Sequence, residues 1–304
     1  MPSIDAIIAA AQSSGAEIRR DVPLKTMTTF KIGGNARYIL LPHSEEQAAE
    51  IIAACSRNGV KPFILGNGSN VLFPDDGYDG VILHLEEGFS NLTLDGDVIC
   101  CGAGVSLSRL CHFALEHGLT GLEFAYGIPG SVGGGAFMNA GAYGGEMKDV
   151  VLSCRHITPE GEIGELSGDA LQFGYRDSAY KHNGCMITSV RFQLKRGDRA
   201  QIKATMEDLI GRRRSKQPVE YPSAGSVFKR PPNHFAGTLI EQCGLKGTQI
   251  GGAQVSEKHA GFIINVGGAT CADVTRLIRL VQDAVREKTG VVLEPEVMMI
   301  KSAI

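Results

Sequence analysis

Three short polar clusters hold the side chains best suited to chemistry. Tyr175-Arg176-Asp177-Ser178 offers a guanidinium beside a carboxylate. A structural Arg–Asp pair and a functional arginine fit these residues equally well. Ser226 lies in Ala224-Gly225-Ser226-Val227-Phe228-Lys229, a hydroxyl among small residues. Such a serine could be a nucleophile, but Val227 and Phe228 follow it, so this is no G-x-S-x-G elbow. The third cluster, Leu293-Glu294-Pro295-Glu296-Val297, carries two carboxylates two positions apart. Strand alternation puts Glu294 and Glu296 on one face, and Pro295 suggests a sheet edge guarded by charge.

Glycine marks two further places. The chain has 39 glycines among 304 residues, well above the usual share of about 7%. They follow no three-residue period, which excludes collagen. Gly66-Asn67-Gly68-Ser69-Asn70 comes directly after the apolar Pro62-Phe63-Ile64-Leu65. A loop at a strand's end can cradle phosphate, with successive N–H groups aimed at oxygens and Ser69 and Asn70 adding donors. A plain Asn-Gly turn fits the same residues. A P-loop is excluded by the missing Gly-Lys-Ser/Thr, and a Rossmann turn by the missing helix of normal length.

The second place runs from Gly127 to Gly145, with Gly130, Ser131, Gly133 and Gly134 near its start. So many glycines forfeit much entropy on ordering. Ile128, Val132, Phe137 and Met138 lie among them, which favours a buried wall against a flat ligand over a loose surface loop. Gly102-Ala103-Gly104 lacks the third glycine of a dinucleotide fingerprint and reads as a strand-to-helix turn.

The elements that must position these residues are legible in outline. Residues 3–16 read as an amphipathic helix with Ser3 as N-cap, and Ser44-Glu45-Glu46-Gln47 as a capping box before a second helix. Short strands follow at 38–41, 62–65, 81–85, 92–101, 151–157 and 186–194, with a helix at 106–118. Longer helices are expected at 199–214, ending in Arg212-Arg213-Arg214, and at 270–288, stopped by Gly290. A last strand is expected from Val291 to Ile300. Mixed strands with segregated helices indicate an α+β class. Length predicts two or three domains, placed at 1–80, 81–198 and 199–304.

Composition narrows the partners. Hydrophobic residues make up 43% and charged residues 21%, and the net charge is −3. That is globular composition with no broad electrostatic draw toward nucleic acid or an anionic membrane. No apolar run approaches the roughly 18 residues of a span, and the start of the chain lacks a basic segment, so a cytoplasmic protein is expected. Eight cysteines, none in C-x-x-C spacing, read as reduced and mostly buried, and no metal site is expected. The basic run Arg212 to Lys216 suits a helix C-terminus. His259 reads as structural rather than catalytic, and Asp75-Asp76 as a turn before Gly77.

Taken in order, these segments resemble the UDP-N-acetylenolpyruvoylglucosamine reductase family. The resemblance runs from Thr28-Thr29-Phe30-Lys31-Ile32-Gly33-Gly34 to Glu296-Val297. Its most specific parts are Gly66 to Asn70, Ile128 to Gly134, Tyr175 to Ser178, Ala224 to Lys229 and Ile250-Gly251-Gly252-Ala253. The short gap between Arg176 and Ser226 is similar to the family's second type. Gly261 departs from it, at a place where asparagine is expected.

The resemblance implies a two-lobed FAD-binding domain of the vanillyl-alcohol oxidase-like (PCMH) kind, and a C-terminal α+β substrate-binding domain. Gly66, Asn67, Gly68, Ser69, Asn70, Gly130, Ser131, Gly133 and Gly134 would hold FAD. NADPH would be the hydride donor, and UDP-N-acetylglucosamine enolpyruvate the acceptor, giving UDP-N-acetylmuramate for peptidoglycan. Hydride would reach C3 of the enolpyruvyl group, leaving charge at C2 that an alcohol can protonate. Ser226 matches the proton donor, Arg176 the group that neutralises the carboxylate, and Glu296 the third catalytic position. Tyr175 and Lys229 are candidate substrate contacts. Within the same fold an oxidase of another substrate is the rival reading, and a catalytically dead nucleotide-binding scaffold is the rival outside it.

Overall fold

The structure, a computed structural model, describes residues 4–301. The N-cap expected at Ser3 lies outside them. The chain forms two contact-dense units that interleave along the sequence. Unit one holds residues up to Arg20, Tyr38–Asn67 and Gly80–Gly211, and unit two holds Asp21–Arg37, Gly68–Asp79 and the chain from Arg212 on.

Unit one is built on a five-stranded antiparallel sheet. Its order is Ile163–Ser167, Val151–Ile157, Met186–Gln193, Val98–Gly102 and Leu92–Asp95. Alternation within Met186–Gln193 sends Val190 and Phe192 into the core, where Ile99 and Cys101 of the neighbouring strand join them. The helices Leu107–Glu116 and Val132–Phe137 bring Leu110, Ala114, Val132 and Ala136 to the same core. A second sheet, in the order Glu17–Pro23, Asn35–Leu41, Tyr78–His84, Phe63–Leu65, pairs its last two strands in parallel. Helices Ile4–Ser14 and Glu45–Arg57 pack on each other, and the second also meets strand Val151–Ile157.

Unit two sets one long helix on a four-stranded antiparallel sheet. Strand order is Ser223–Ser226, Phe262–Asn265, Ala253–Val255 and Gln249–Ile250. Helix Cys271–Thr289 buries Val274, Leu277, Ile278, Val281 and Val285, a stripe with helical spacing. Thr270 caps its first turn and Asp273 answers in a reciprocal capping box; Gly290, at φ 73°, closes the other end. Asp75, expected only as a turn residue, adds to this: its carboxylate accepts the N–H groups of Cys271 and Ala272 at 2.7 and 3.0 Å.

Several expectations need correction. Ser44 does cap Glu45–Arg57, but Gln47 reaches the N–H of His43, not that of the N-cap, so the box is only half closed. The glycine-dense segment contains a short helix, Val132–Phe137, that low propensity hid. The long last strand is absent: only Met298–Met299 is strand, parallel to Val71–Leu72. Pro295, which has no N–H, faces Phe228 in an isolated antiparallel bridge whose hydrogen bonds come from its neighbours, Glu296 N–H to the Val227 carbonyl and Lys229 N–H to the Glu294 carbonyl.

Four of the eight cysteines, Cys55, Cys101, Cys111 and Cys154, are buried, and all eight are free. Burial pushes the thiols of Cys55 and Cys154 up to about 12, so they stay protonated and inert. No helix among the described residues is long and apolar enough to cross a membrane.

Thr270→Ala is expected to cost about 1 kcal/mol and to lower Tm by about 2–4 °C, because it opens both halves of the capping box. Calorimetry of the two proteins checks it.

Candidate functional site

In unit one the two glycine segments meet. A Cβ added to Gly66 would stand 2.5 Å from Ser131 Oγ, so residues far apart in sequence share one surface. Ser131 is buried, and its Oγ accepts the N–H of Gly134 at 3.2 Å, capping the short helix. Part of the glycine requirement is internal. A Cβ on Gly133 would press on Ala103 Cβ at 2.8 Å, and its N–H already donates to the Ala103 carbonyl. The close approach is therefore partly to the chain itself and not all to a ligand. What stays open is backbone: Asn67, Pro129 and Gly134 are exposed, and Gly66 and Gly130 half-buried. A bare peptide surface of this kind fits a phosphate-bearing cofactor, which N–H dipoles can hold without a cationic side chain.

Arg176 sits in a tight turn, where Gly174 and Asp177 exchange both backbone hydrogen bonds at 3.0 and 3.2 Å. Its φ is 55°, a left-handed conformation that costs a non-glycine residue about 1–2 kcal/mol. Asn139, fully buried, holds this turn. Its amide N–H groups go to the Gly174 carbonyl at 2.8 Å and to Glu146 at 2.6 Å, and its Oδ1 accepts the N–H of Lys148 at 2.9 Å. Lys181 closes the other side by donating to the Arg176 carbonyl at 2.9 Å. The guanidinium donates to the Gly141 carbonyl at 3.3 Å and lies 5.3 Å from the Tyr175 ring centre. Tyr175 itself is exposed. Asp177 takes His182 as partner at 2.9 Å, and that hydrogen bond holds its carboxyl below the usual range.

Unit two brings Asn70, Ser226 and Glu296 together through the backbone of Val227 and Glu296. Val227 donates its N–H to Gly261 at 2.9 Å, and its carbonyl accepts the N–H of Glu296 at 2.6 Å. On the far side, Asn70 Nδ2 donates to the Glu296 carbonyl at 3.2 Å. Ser226 Oγ donates to the Phe228 carbonyl at 3.2 Å and is half-buried. Lys229 pairs with Glu294 at 3.2 Å, but Glu294 is 70% exposed, so the pair adds little stability. Of the two carboxylates expected on one face, Glu294 thus faces solvent while Glu296 is half-buried.

Thr28-Thr29-Phe30, read only as a motif, has a positional task. Gly68 has φ 59°, and a Cβ there would collide with the Met27 carbonyl and Thr28. Thr29 N–H donates to the Gly68 carbonyl, and Thr29 Oγ1 donates to Ser223 at 2.7 Å. One segment therefore fixes both the Gly68–Asn70 loop and the strand that carries Ser226. Sequence reasoning missed Thr29, Asn139 and the backbone of Val227. Only Asn139 carried a signal, a buried-type amide among small residues.

Comparison with known proteins follows this geometry. Residues 36–167 match the FAD binding domain family, and residues 217–300 match the family described as UDP-N-acetylenolpyruvoylglucosamine reductase, C-terminal domain. A UDP-N-acetylenolpyruvoylglucosamine reductase of Caldicellulosiruptor bescii is 48% identical over 291 residues, 95% of this chain and 92% of that one. One from Geobacillus kaustophilus is 47% identical over 283 residues, 93% of each. The crystal structure of UDP-N-acetylenolpyruvylglucosamine reductase from Thermus caldophilus superposes with a TM-score of 0.81 at 35% identity, covering 94% of this chain and 99% of that one. A berberine bridge enzyme variant gives 0.50 at 14% identity, over 65% of this chain and 44% of its own, which shows the fold alone. The expected α+β class holds, with an FAD-binding domain and the C-terminal domain of the reductase family.

Gly68→Val is expected to reduce bound flavin per protein, read from the absorbance ratio, because the new side chain strikes Met27 and Thr28 and displaces the loop. Undiminished flavin content would count against a role for this loop in holding the cofactor.

Proposed function

The chain belongs to the UDP-N-acetylenolpyruvoylglucosamine reductase family, whose members are FAD-dependent oxidoreductases, and on that premise we propose that it reduces UDP-N-acetylglucosamine enolpyruvate to UDP-N-acetylmuramate with NADPH. The reaction would serve peptidoglycan synthesis in the cytoplasm, and through it cell shape and division. Residues 1–80 and 81–198 are assigned to the two FAD-binding lobes and 199–304 to substrate binding. Gly66 to Asn70 and Gly130 to Gly134 are assigned to the cofactor. FAD, when bound, supplies the chemistry that passes a hydride from the nicotinamide to the enolpyruvyl double bond.

The chain's own residues then manage charge and protons. Addition of hydride at C3 leaves a carbanion at C2, delocalised into the adjacent carboxylate. Ser226 Oγ gives its proton to C2, which balances the reduction of the carbon–carbon double bond. Arg176 neutralises the carboxylate as its charge grows, and does so best if it is held in place beforehand. The left-handed turn pinned by Asn139 and Lys181 supplies that rigidity. Glu296 orients the carboxylate or a water beside it. Tyr175 and Lys229 are assigned to substrate contact.

The observation that carries this reading is the joint anchoring of Ser226 and Glu296. The backbone of Glu296 is bonded to Val227, the residue after Ser226, although the two lie at opposite ends of the C-terminal unit, and Asn70 bonds the Glu296 carbonyl as well. A scaffold without chemistry has no need of such registration, and an oxidase would need a base where Ser226 stands.

Ser226→Ala is expected to keep FAD and to be reduced by NADPH at the normal rate. Its reoxidation by the enolpyruvyl substrate should slow by about 100-fold or more, the scale that general acid catalysis supplies. Anaerobic stopped-flow absorbance separates the two half-reactions, and loss of flavin reduction in this variant would sink the assignment.

A further inference from the structure

Gly261 lies between Ser226 and an imidazole that the proposed reaction leaves unused. A Cβ on Gly261 would stand 3.0 Å from His259 Cε1, 3.2 Å from its Nδ1 and 3.5 Å from Ser226 Oγ. The ring is half-buried, edge-on to Phe262 at 5.1 Å, and Gly237 leaves room for it on another side. Its Nδ1 accepts the Gly261 N–H at 3.1 Å. A backbone N–H can only donate, so the neutral ring carries its proton on Nε2. From there a continuous chain runs onward: the Gly261 carbonyl takes the Val227 N–H at 2.9 Å, and the Val227 carbonyl takes the Glu296 N–H at 2.6 Å.

We propose that His259, as the neutral Nε2–H tautomer, is a positioning residue that holds Ser226 and Glu296 in register through Gly261 and Val227. It therefore acts in reduction of the enolpyruvyl group and not in reduction of the flavin. This rests on the reading of Ser226 and Glu296 given above.

Protonation would put an N–H at Nδ1 facing the Gly261 N–H, two donors with no acceptor, and the first link of the chain would break. Burial lowers the imidazole below its ordinary 6.5. The link is thus intact at neutral pH and is lost as pH falls through that lowered value. The groups around the ring act in both directions. Glu241, on helix Ala236–Gln242, favours the cation, and Lys246, in the loop after it, opposes it; the two pair with each other at 2.6 Å. Glu257 and Lys258 precede the ring in its own turn, and Lys258 is paired with Glu220 at 3.2 Å. On the Gly261 side the polar group is Ser226 Oγ, 3.5 Å from where a Cβ on Gly261 would stand.

The test follows reoxidation of the NADPH-reduced holoenzyme by UDP-N-acetylglucosamine enolpyruvate, under anaerobic stopped flow, between about pH 5 and 8. His259→Asn keeps the acceptor, because an asparagine oxygen takes the N–H two residues on in an Asx turn, and it does not titrate. It should reoxidise at close to the wild-type rate at neutral pH while losing the wild-type acid limb. His259→Leu removes the acceptor and should reoxidise about tenfold more slowly at every pH, the scale of one lost hydrogen bond. Flavin reduction by NADPH should be unchanged in both. An acid limb in His259→Asn that matches the wild type overturns the proposal, as does a parallel fall in flavin reduction. Flavin content reports folding, and where His259→Leu loses flavin, His259→Asn decides alone. Wild-type enzyme that this substrate fails to reoxidise would instead overturn the functional reading beneath it.

Discussion

The backbone of Val227 ties three parts of the C-terminal unit together. Its N–H and carbonyl bind Gly261 and Glu296, and the carbonyl reaches Val297 as well at 3.4 Å. The strand that leads to it is irregular: Ser223 pairs with Ile264 and Ser226 with Phe262, with a register shift between them. A shift of this kind bends the strand and re-aims the side chain beyond it, and Ser226 is that side chain. Pro295 contributes from the opposite direction. Having no N–H, it suits the non-hydrogen-bonded place opposite Phe228, and its neighbours close that bridge: Glu296 N–H donates to the Val227 carbonyl and Lys229 N–H to the Glu294 carbonyl. The chain then joins Val71–Leu72 in parallel through Met298 and Met299. A broken ladder, and not a regular one, is what sets the carboxylate and the hydroxyl.

Unit one reaches the same end by another route. Much of its irregular backbone is buried or half-buried, and those groups need partners. Side chains provide them: Ser131 caps a six-residue helix, and Asn139 uses its amide N–H groups and its oxygen on three residues in two segments, Glu146 and Lys148 in one and Gly174 in the other. That network is what can hold Arg176 at φ 55°. The strain of about 1–2 kcal/mol is small against the cost of orphaning the buried amide of Asn139. Glycine does double duty here. Gly133 lets the short helix press on Ala103, while Gly66 leaves space beside Ser131.

Much of the framework was legible from sequence because it depends on local or periodic signals. The stripe from Val274 to Val285, the cap at Gly290, the strands Val151–Ile157 and Met186–Gln193, and the turn at Gly102 to Gly104 all stand where spacing puts them. Failures cluster where a partner far along the chain overrides a local preference. Gln47 found His43 in place of the N-cap N–H. Val291 to Ile300 read as one strand, yet its pairing was decided by Phe228, Val227 and Val71. Asp75 looked like a turn residue because the helix end it caps begins nearly two hundred positions later.

The sequence by itself determined which side chains could do chemistry, since residue type sets what a guanidinium, a hydroxyl or a carboxylate can donate or accept. It also determined the α+β class and the glycine positions. Only the tertiary structure decided which of these residues share a bonded frame: Gly66 with Ser131, and Ser226 with Glu296 and Asn70. It also brought in His259, Thr29 and Asn139, none of which a motif had marked for that work. The physical reason is that hydrogen-bond partners of irregular backbone are chosen by three-dimensional proximity. Periodicity carries no information about a bond between residues 70 and 296.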